Sequence, residues 1–360
     1  MSVTTTNRIE LPAKPRVLVI ALRRLGDVLL TTPLIRSVKR AFADASVDVL
    51  VFGGTDGILS GNPDVTSVII IPARPSTGET LSLLRRIARR YDLALSTQSG
   101  DRPTMLAWIA GKQSAGPIEA DGLAAQVKRL ALGRSYVRSS EQHRVVEVLR
   151  LAELLGIPAV PEIVCPSGNA QRSLLPTGPY AVVHAAPMFT YKRWTADGWR
   201  ELAAALRQRG LRIVITGARG DSDYLDQIWH DADVVRLNGN LEWPELTAAI
   251  RDAQVYVGPD TAITHLAAAT GVPTVALYGP TDPRLWGPWP IGGLDPPWNA
   301  AGTIQQRGNV WLVQNPLPCL PCQFEGCERR LDSYSRCLDE LAGAQVLAAV
   351  DQALAWSRAA

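Results

Sequence analysis

A chain of 360 residues with 46% apolar and 20% charged residues is too long for one ordinary core and too apolar for global disorder, so two globular domains are expected. Its net charge of +3 hides an asymmetry: residues 1–160 hold 21 Lys and Arg against 14 Asp and Glu (+7), and residues 161–360 hold 16 against 20 (−4). No run of about 18 uncharged apolar residues occurs and MSVTTTNRIELPAKPR lacks an apolar h-region, which excludes a spanning helix or secretory signal and makes the cytoplasm the expected compartment.

Residues 1–14 are polar with a late proline and read as a loose leader. From residue 15 onward short β-branched runs alternate with amphipathic stretches. PRVLVIAL, SVDVLVF, SVIIIP and YDLALST read as strands of the first half, and YAVVHA, LRIVITG, DVVRLNG, QVYVG and TVALYG as strands of the second. Between them LLTTPLIRSVKRAF, SLLRRIARRY, WRELAAALRQRG and ELTAAIRDA repeat apolar residues at three and four, as helices do. This alternation means an α/β fold with two parallel-sheet domains, expected at 15–165 and 166–340, followed by a helix over 341–360. The seam is expected within residues 155–179, where prolines and glycines interrupt periodicity. Residues 280–322 read as a long Pro-, Gly- and Trp-rich loop without regular structure, functional or stapled, whose tryptophans serve packing first and interfacial or sugar contacts second.

The sharpest local stretch is VYVGPDTAITHLAAATGVPTVALYGPTDP, residues 255–283. After QVYVG the chain turns through Pro259 and Asp260 into a helix that Thr261 can cap, and backbone N–H groups at such a start favour an anion such as a diphosphate. His265 falls one turn in, on the side of Thr261, where it either lines a ligand or packs against a loop carbonyl. A second loop, Gly279 to Pro283, leaves the same sheet edge, so the two can converge on one ligand. Lys192, between YAVVH and the next helix, suits a phosphate or a solvated loop equally. In RRLGDVLLTTPLIRSVK, Asp27 follows a lone Gly26 at a helix start. It is either a favourable helix-end charge or a base placed to take a proton from an acceptor hydroxyl.

RRLGDVLLTTPLIRSVK, HAAPMFTYKRW and GPDTAITHLAAATGVPTVALYGPTDP, in this order, resemble glycosyltransferase family 9, the lipopolysaccharide heptosyltransferases, over roughly residues 15–355. The C-terminal C-x2-C-x4-C-x9-CL pattern looks most like the heptosyltransferase III type. The resemblance implies a GT-B fold, two Rossmann-like domains with parallel sheets facing across a cleft. It implies inverting transfer from ADP-heptose to lipid A–core, with no cofactor required for catalysis and no nucleic acid as partner. Carried over residue by residue, Asp27 is the expected base and Lys192 the lysine that stabilises departing ADP. Asp260 is expected on donor sugar hydroxyls, Thr261 and Ala262 at the diphosphate through backbone N–H groups, and His265 lining that site. The sequence departs at Ala186 and Met188, where relatives often carry a hydroxyl and a guanidinium. Arg24, with Arg23 and Gly26 in the same turn, is expected to supply compensating charge to the donor. Rival readings are another nucleotide-sugar enzyme on this fold, such as an epimerase, and a non-catalytic nucleotide- or lipid-headgroup-binding scaffold.

Cys319, Cys322, Cys327 and Cys337 lie in CLPCQFEGCERRLDSYSRC (319–337), with Cys165 apart. The donor set fits a structural zinc or iron ion, with reduced packing thiols and disulfides as the other readings. LLRRIARRY (83–91) places Arg85, Arg86, Arg89 and Arg90 on one helix face and Leu83, Leu84 and Ile87 on another. This gives either a solvated face or a contact with the cytoplasmic surface of the inner membrane, on which the chain would sit as a peripheral protein.

Overall fold

A computed structural model describes residues 8–168, 172–229 and 233–359. The chain divides into two compact units, Met1–Pro166 and Ser167–Ala360, with the division inside the Pro- and Gly-broken stretch 155–179.

In the first unit the elements run β1 (Arg16–Ala21), α1 (Leu25–Leu29), α2 (Thr32–Ala41), β2 (Ser46–Phe52), β3 (Ser67–Ile71), α3 (Thr77–Ile87), β4 (Tyr91–Ser96), α4 (Asp101–Ala110), β5 (Gly111–Ile118), α5 (Leu123–Ala131), β6 (Arg134–Val137) and α6 (Arg144–Leu154). The strands form one parallel sheet in the order β3-β2-β1-β4-β5-β6. Val17 to Ala21 are fully buried, as expected of a strand covered on both faces. Leu83 and Ile87 of α3 and Leu106, Ala107 and Ala110 of α4 pack with Leu18, Ile20 and Leu50 of the sheet. The chain builds outward from β1 through β2 to β3, then returns to lay β4, β5 and β6 on the other side. The order therefore reverses between β1 and β4.

Strands β5 and β6 escaped the sequence reading. GKQSAGPI carries no β-branched run, and its pairing with β4 overrides its propensity. A side chain at Gly111 would bring a Cβ within 2.9 Å of Ala94, so the strand is chosen for close approach. The leader also differs in part. Residues 1–7 lie outside the described residues, but Ile9 is buried and its N–H donates to Leu155 O at 2.9 Å. The expected basic helix 83–91 stops at Ile87: Arg89 has a φ of 52° and β4 begins at Tyr91. Its apolar side is spent on the core, with Leu83 and Ile87 buried.

The second unit runs β7 (Tyr180–His184), α7 (Ala196–Gln208), β8 (Arg212–Thr216), α8 (Ser222–Trp229), β9 (Val235–Arg236), α9 (Trp243–Arg251), β10 (Val255–Pro259), α10 (Ala262–Thr270), β11 (Thr274–Leu277), α11 (Pro283–Trp286), β12 (Ile304–Arg307), β13 (Val310–Val313), α12 (Arg336–Asp339) and α13 (Gly343–Ala359). The sheet order is β12-β13-β11-β10-β7-β8-β9, parallel except for β12. Here the reversal falls between β7 and β10. The stretch 280–322 is more regular than expected, because it holds α11 and the β12–β13 hairpin. The missed signal was Gly308-Asn309, a two-residue hairpin loop with Gly308 at φ 51°. The rest of the loop is stapled: Trp298 Nε1 donates to Pro288 O at 3.1 Å, and Asn309 Nδ2 donates to Val272 O at 2.8 Å. Trp289, Trp298 and Trp311 are buried, so these three serve packing.

Candidate functional site

Open parallel sheets bind ligands beyond the carboxyl ends of their strands, where the strand order reverses. In the second unit the segments leaving β7 and β10 meet at that point. Lys192, in the turn after β7, reaches Asp260 Oδ2 at 2.5 Å, and Thr281 from the loop after β11 donates to the same oxygen at 2.6 Å. The expected convergence of the two loops is thus built from Asp260 outward.

Burial works against ionisation of Asp260, but Lys192, His265 and the Thr281 hydroxyl outweigh it and hold the carboxyl below the usual carboxylate range. Burial and this carboxylate together raise the neighbouring Tyr278 phenol well above its ordinary value. Thr261 caps α10, its hydroxyl accepting the Thr264 N–H, while helix geometry leaves the first N–H groups, from Ala262 on, directed past the strand end. His265 is buried one turn in, its N–H donating to Thr261 O at 3.2 Å. The result is a cation, a helix start and a fixed carboxylate at one sheet edge. Such a set binds a phosphorylated ligand that also carries hydroxyls. Of the two departures, Ala186 is buried in the core and Met188 is 84% exposed.

The reversal between β1 and β4 in the first unit places Asp27. It is the third residue of α1 and makes no side-chain cap; Arg24 is the N-cap and Gly26 an ordinary helical residue. Arg23 NH1 donates to Asp27 Oδ1 at 3.2 Å, and Arg144 Nε, from the start of α6, stands 3.5 Å from the same oxygen. Arg144 is in turn held by Thr97 O, at the end of β4, 3.1 Å from its NH2. Burial pushes the Arg144 guanidinium down, and Asp27 works the other way. Among the described residues these contacts all fall on Oδ1, and the side chain is 12% exposed. That leaves Oδ2 for an incoming hydroxyl, the requirement of a base.

The sequence matches the profile of glycosyltransferase family 9 (heptosyltransferase) over residues 80–292. The chain belongs to glycosyltransferase family 9. A relative, lipopolysaccharide heptosyltransferase 3 of Escherichia coli (strain K12), is 27% identical over 289 residues, covering 74% of this chain and 83% of that one. The solved E. coli ADP-heptose lps heptosyltransferase II matches with a TM-score of 0.72 at 19% identity, over 95% of this chain and 99% of that one. E. coli heptosyltransferase WaaC with ADP matches with a TM-score of 0.70 at 22% identity, over 94% and 99%. This family 9 chain therefore has the GT-B fold of two Rossmann-like domains, as the sequence motifs implied.

Sequence reading missed Arg144 and Thr97. Neither stands in a motif: the return of β4 beside β1 brings Thr97, and the packing of α6 against α2 brings Arg144. Thr281 was within reach, since it sits in the quoted GPTDP loop. The cysteines are all free. Burial, with Cys322, Cys327 and Cys319 adding to it, pushes the Cys337 thiol up to about 12. Among the described residues no group of three or more Cys, His, Asp or Glu side chains is gathered to hold a metal ion.

Proposed function

We propose that this chain transfers heptose from ADP-heptose to a hydroxyl of the lipopolysaccharide inner core on lipid A, inverting the anomeric carbon. The observation that carries the reading is the pair of strand-order reversals: one holds a carboxylate with an oxygen to spare, the other a cation and helix start suited to a diphosphate. Similarity to proteins named as heptosyltransferases supports the donor and acceptor class.

In this reading Asp27 Oδ2 takes the proton of the acceptor hydroxyl as its oxygen bonds to the anomeric carbon. The bond from that carbon to the diphosphate breaks and ADP leaves. Lys192 and the N–H groups of Thr261 and Ala262 stabilise the charge that develops on the diphosphate. Asp260 orients Lys192 and accepts from donor sugar hydroxyls, His265 lines the site, and Arg24 with the Gly26 turn supplies charge to the donor. Transfer needs no metal. Cys319, Cys322, Cys327 and Cys337 would hold a structural zinc or iron ion, a reading supported by the donor set and by the closeness through which the other three raise the Cys337 thiol. Metal analysis of the purified chain decides it, one ion per chain against none. The chain would work at the cytoplasmic face of the inner membrane.

The test is ADP release from ADP-heptose, with and without lipid A–core, for wild type and Asp27→Asn. Acceptor-dependent release that collapses in the variant while ADP-heptose still binds is the expected result. Release without any acceptor, or equal binding of other nucleotide sugars, would overturn the assignment and turn attention to Ala186 and Met188.

A further inference from the structure

The basic helix singled out by sequence has no apolar face to offer a membrane, but its neighbours do. On α5, Leu123, Val127 and Leu130 follow one another at four and three residues and are 78%, 57% and 88% exposed. The opposite side of α5, through Ala125 and Lys128, is buried. On α4, which packs beside α5, Met105 and Trp108 are 45% and 50% exposed, back to back with buried Leu106, Ala107 and Ala110. Helix α4 is thus apolar on its core side and again outside, and α5 turns its large apolar residues outward. A helix that meets only water has no reason for an outer apolar face.

The charge around this face is one-sided. Residues 74–131 carry nine Lys and Arg against five Asp and Glu, a balance of +4 that exceeds the +3 of the whole chain. Arg85, Arg86 and Arg90 at the end of α3 and Arg129 on α5 are exposed. Two of the five acids, Asp101 and Glu119, both pair with Lys128 at 2.9 Å.

We propose that the outer face of α4 and α5 is the surface by which this chain docks on an anionic lipid bilayer. Leu123, Val127, Leu130, Met105 and Trp108 enter the boundary between headgroups and acyl chains, while the flanking arginines meet lipid phosphates. The charge favours this occupant over a second copy, because a self-paired face would set two like-charged rims against each other. The proposal deepens the membrane reading above and does not depend on the donor or the chemistry.

The experiment is co-sedimentation of the full chain with phosphatidylglycerol-containing vesicles and with pure phosphatidylcholine vesicles, at low and high salt. The comparison is wild type against the triple variant Leu123→Ser, Val127→Ser, Leu130→Ser, whose sites are exposed enough to spare the fold. Wild type should sediment with the anionic vesicles in a salt-sensitive way. The triple variant should partition about tenfold less or weaker still, with ADP release on a water-soluble acceptor unchanged. Equal partition of the two proteins, or no vesicle binding by wild type, would overturn the proposal. A wild-type dimer that the triple variant dissolves, with no vesicle binding by either, would overturn it in favour of a second copy. Loss of turnover on the soluble acceptor in wild type as well would count against the transfer reading and leave the docking result standing.

Discussion

Asp27 and Asp260 look alike in the sequence, since each follows a parallel strand and opens a helix. The structure treats them in opposite ways. Asp260 is enclosed, and one of its oxygens already takes both Lys192 and Thr281. Asp27 is touched by two arginines on one oxygen only and keeps some contact with solvent. A carboxylate paired to a lysine at 2.5 Å serves as an anchor, whereas one held by arginines at 3.2 and 3.5 Å is loose enough to accept a proton. In the proposed transfer the first unit supplies the base and the second the diphosphate site.

The contrast breaks first on Asp27→Asn. If Asp27 is the base, kcat for ADP release should fall by about 10²–10⁴. The donor KM should hold, because the amide keeps the shape, while the melting temperature should drop modestly, because the buried Arg144 loses a charge partner 3.5 Å away. A variant within threefold of wild type in kcat would move the base elsewhere.

Asp260→Ala should cost more stability. It leaves Lys192 without its partner charge, and breaking a buried pair this way costs about 3–5 kcal/mol. Chemical denaturation reads it directly. The pair also carries a pH signature. The Asp260 carboxyl is depressed in the folded chain, so its contribution is complete above the unfolded carboxylate value and is lost as pH falls through the lower folded one. A loss under about 1 kcal/mol for Asp260→Ala would make the two aspartates energetically alike and undo the distinction.

A smaller effect separates the two units in mild acid. His184, at the end of β7, is held neutral by burial with its pKa lowered to about 4, its Nδ1 3.1 Å from the Thr216 hydroxyl. A depressed group stabilises fully above its unfolded value near 6.5 and loses that contribution as pH drops toward 4, a span worth about 3 kcal/mol. Unfolding of the second unit should therefore weaken across that window, and His184→Asn should flatten the slope. An unchanged slope would mean that another group titrates there.

How much of this was legible in the sequence follows from what each element is made of. Strands β1, β2, β4, β7, β8, β10 and β11 announce themselves because they are largely buried on both faces and the runs are mostly apolar, and the edge strand β3, with Ile70 exposed, through its β-branched run. The order of strands within a sheet leaves no mark in the local pattern. The loop residues Lys192, Asp260 and Thr261 were visible because they sit in quoted motifs at the ends of neighbouring strands, and Thr281 sat unremarked in the next such loop. The surroundings of Asp27 were not visible, since Arg144 lies 117 positions away and arrives on α6, which packs against α2. The outer apolar residues were hidden for a related reason: α4 is apolar on two sides and has no clear stripe, while α5 has one stripe that only the structure shows to face outward.

The finest test of the comparison is Arg144 itself. If it positions Asp27, removing it should free the carboxylate to turn away from the acceptor while leaving the second unit untouched. Arg144→Met is expected to lower kcat by about 10–100-fold, a cost of about 1–3 kcal/mol in the transition state, with the donor KM unchanged. Arg144→Lys, which keeps the charge but cannot bridge Thr97 O and Asp27 with one planar group, should recover only part of the loss. The double variant Arg144→Met, Asp27→Asn should be little worse than Asp27→Asn alone, because a positioning residue has nothing to act through once the base is gone. Additive losses in that double variant would show instead that Arg144 acts on the fold or on substrate by a separate route.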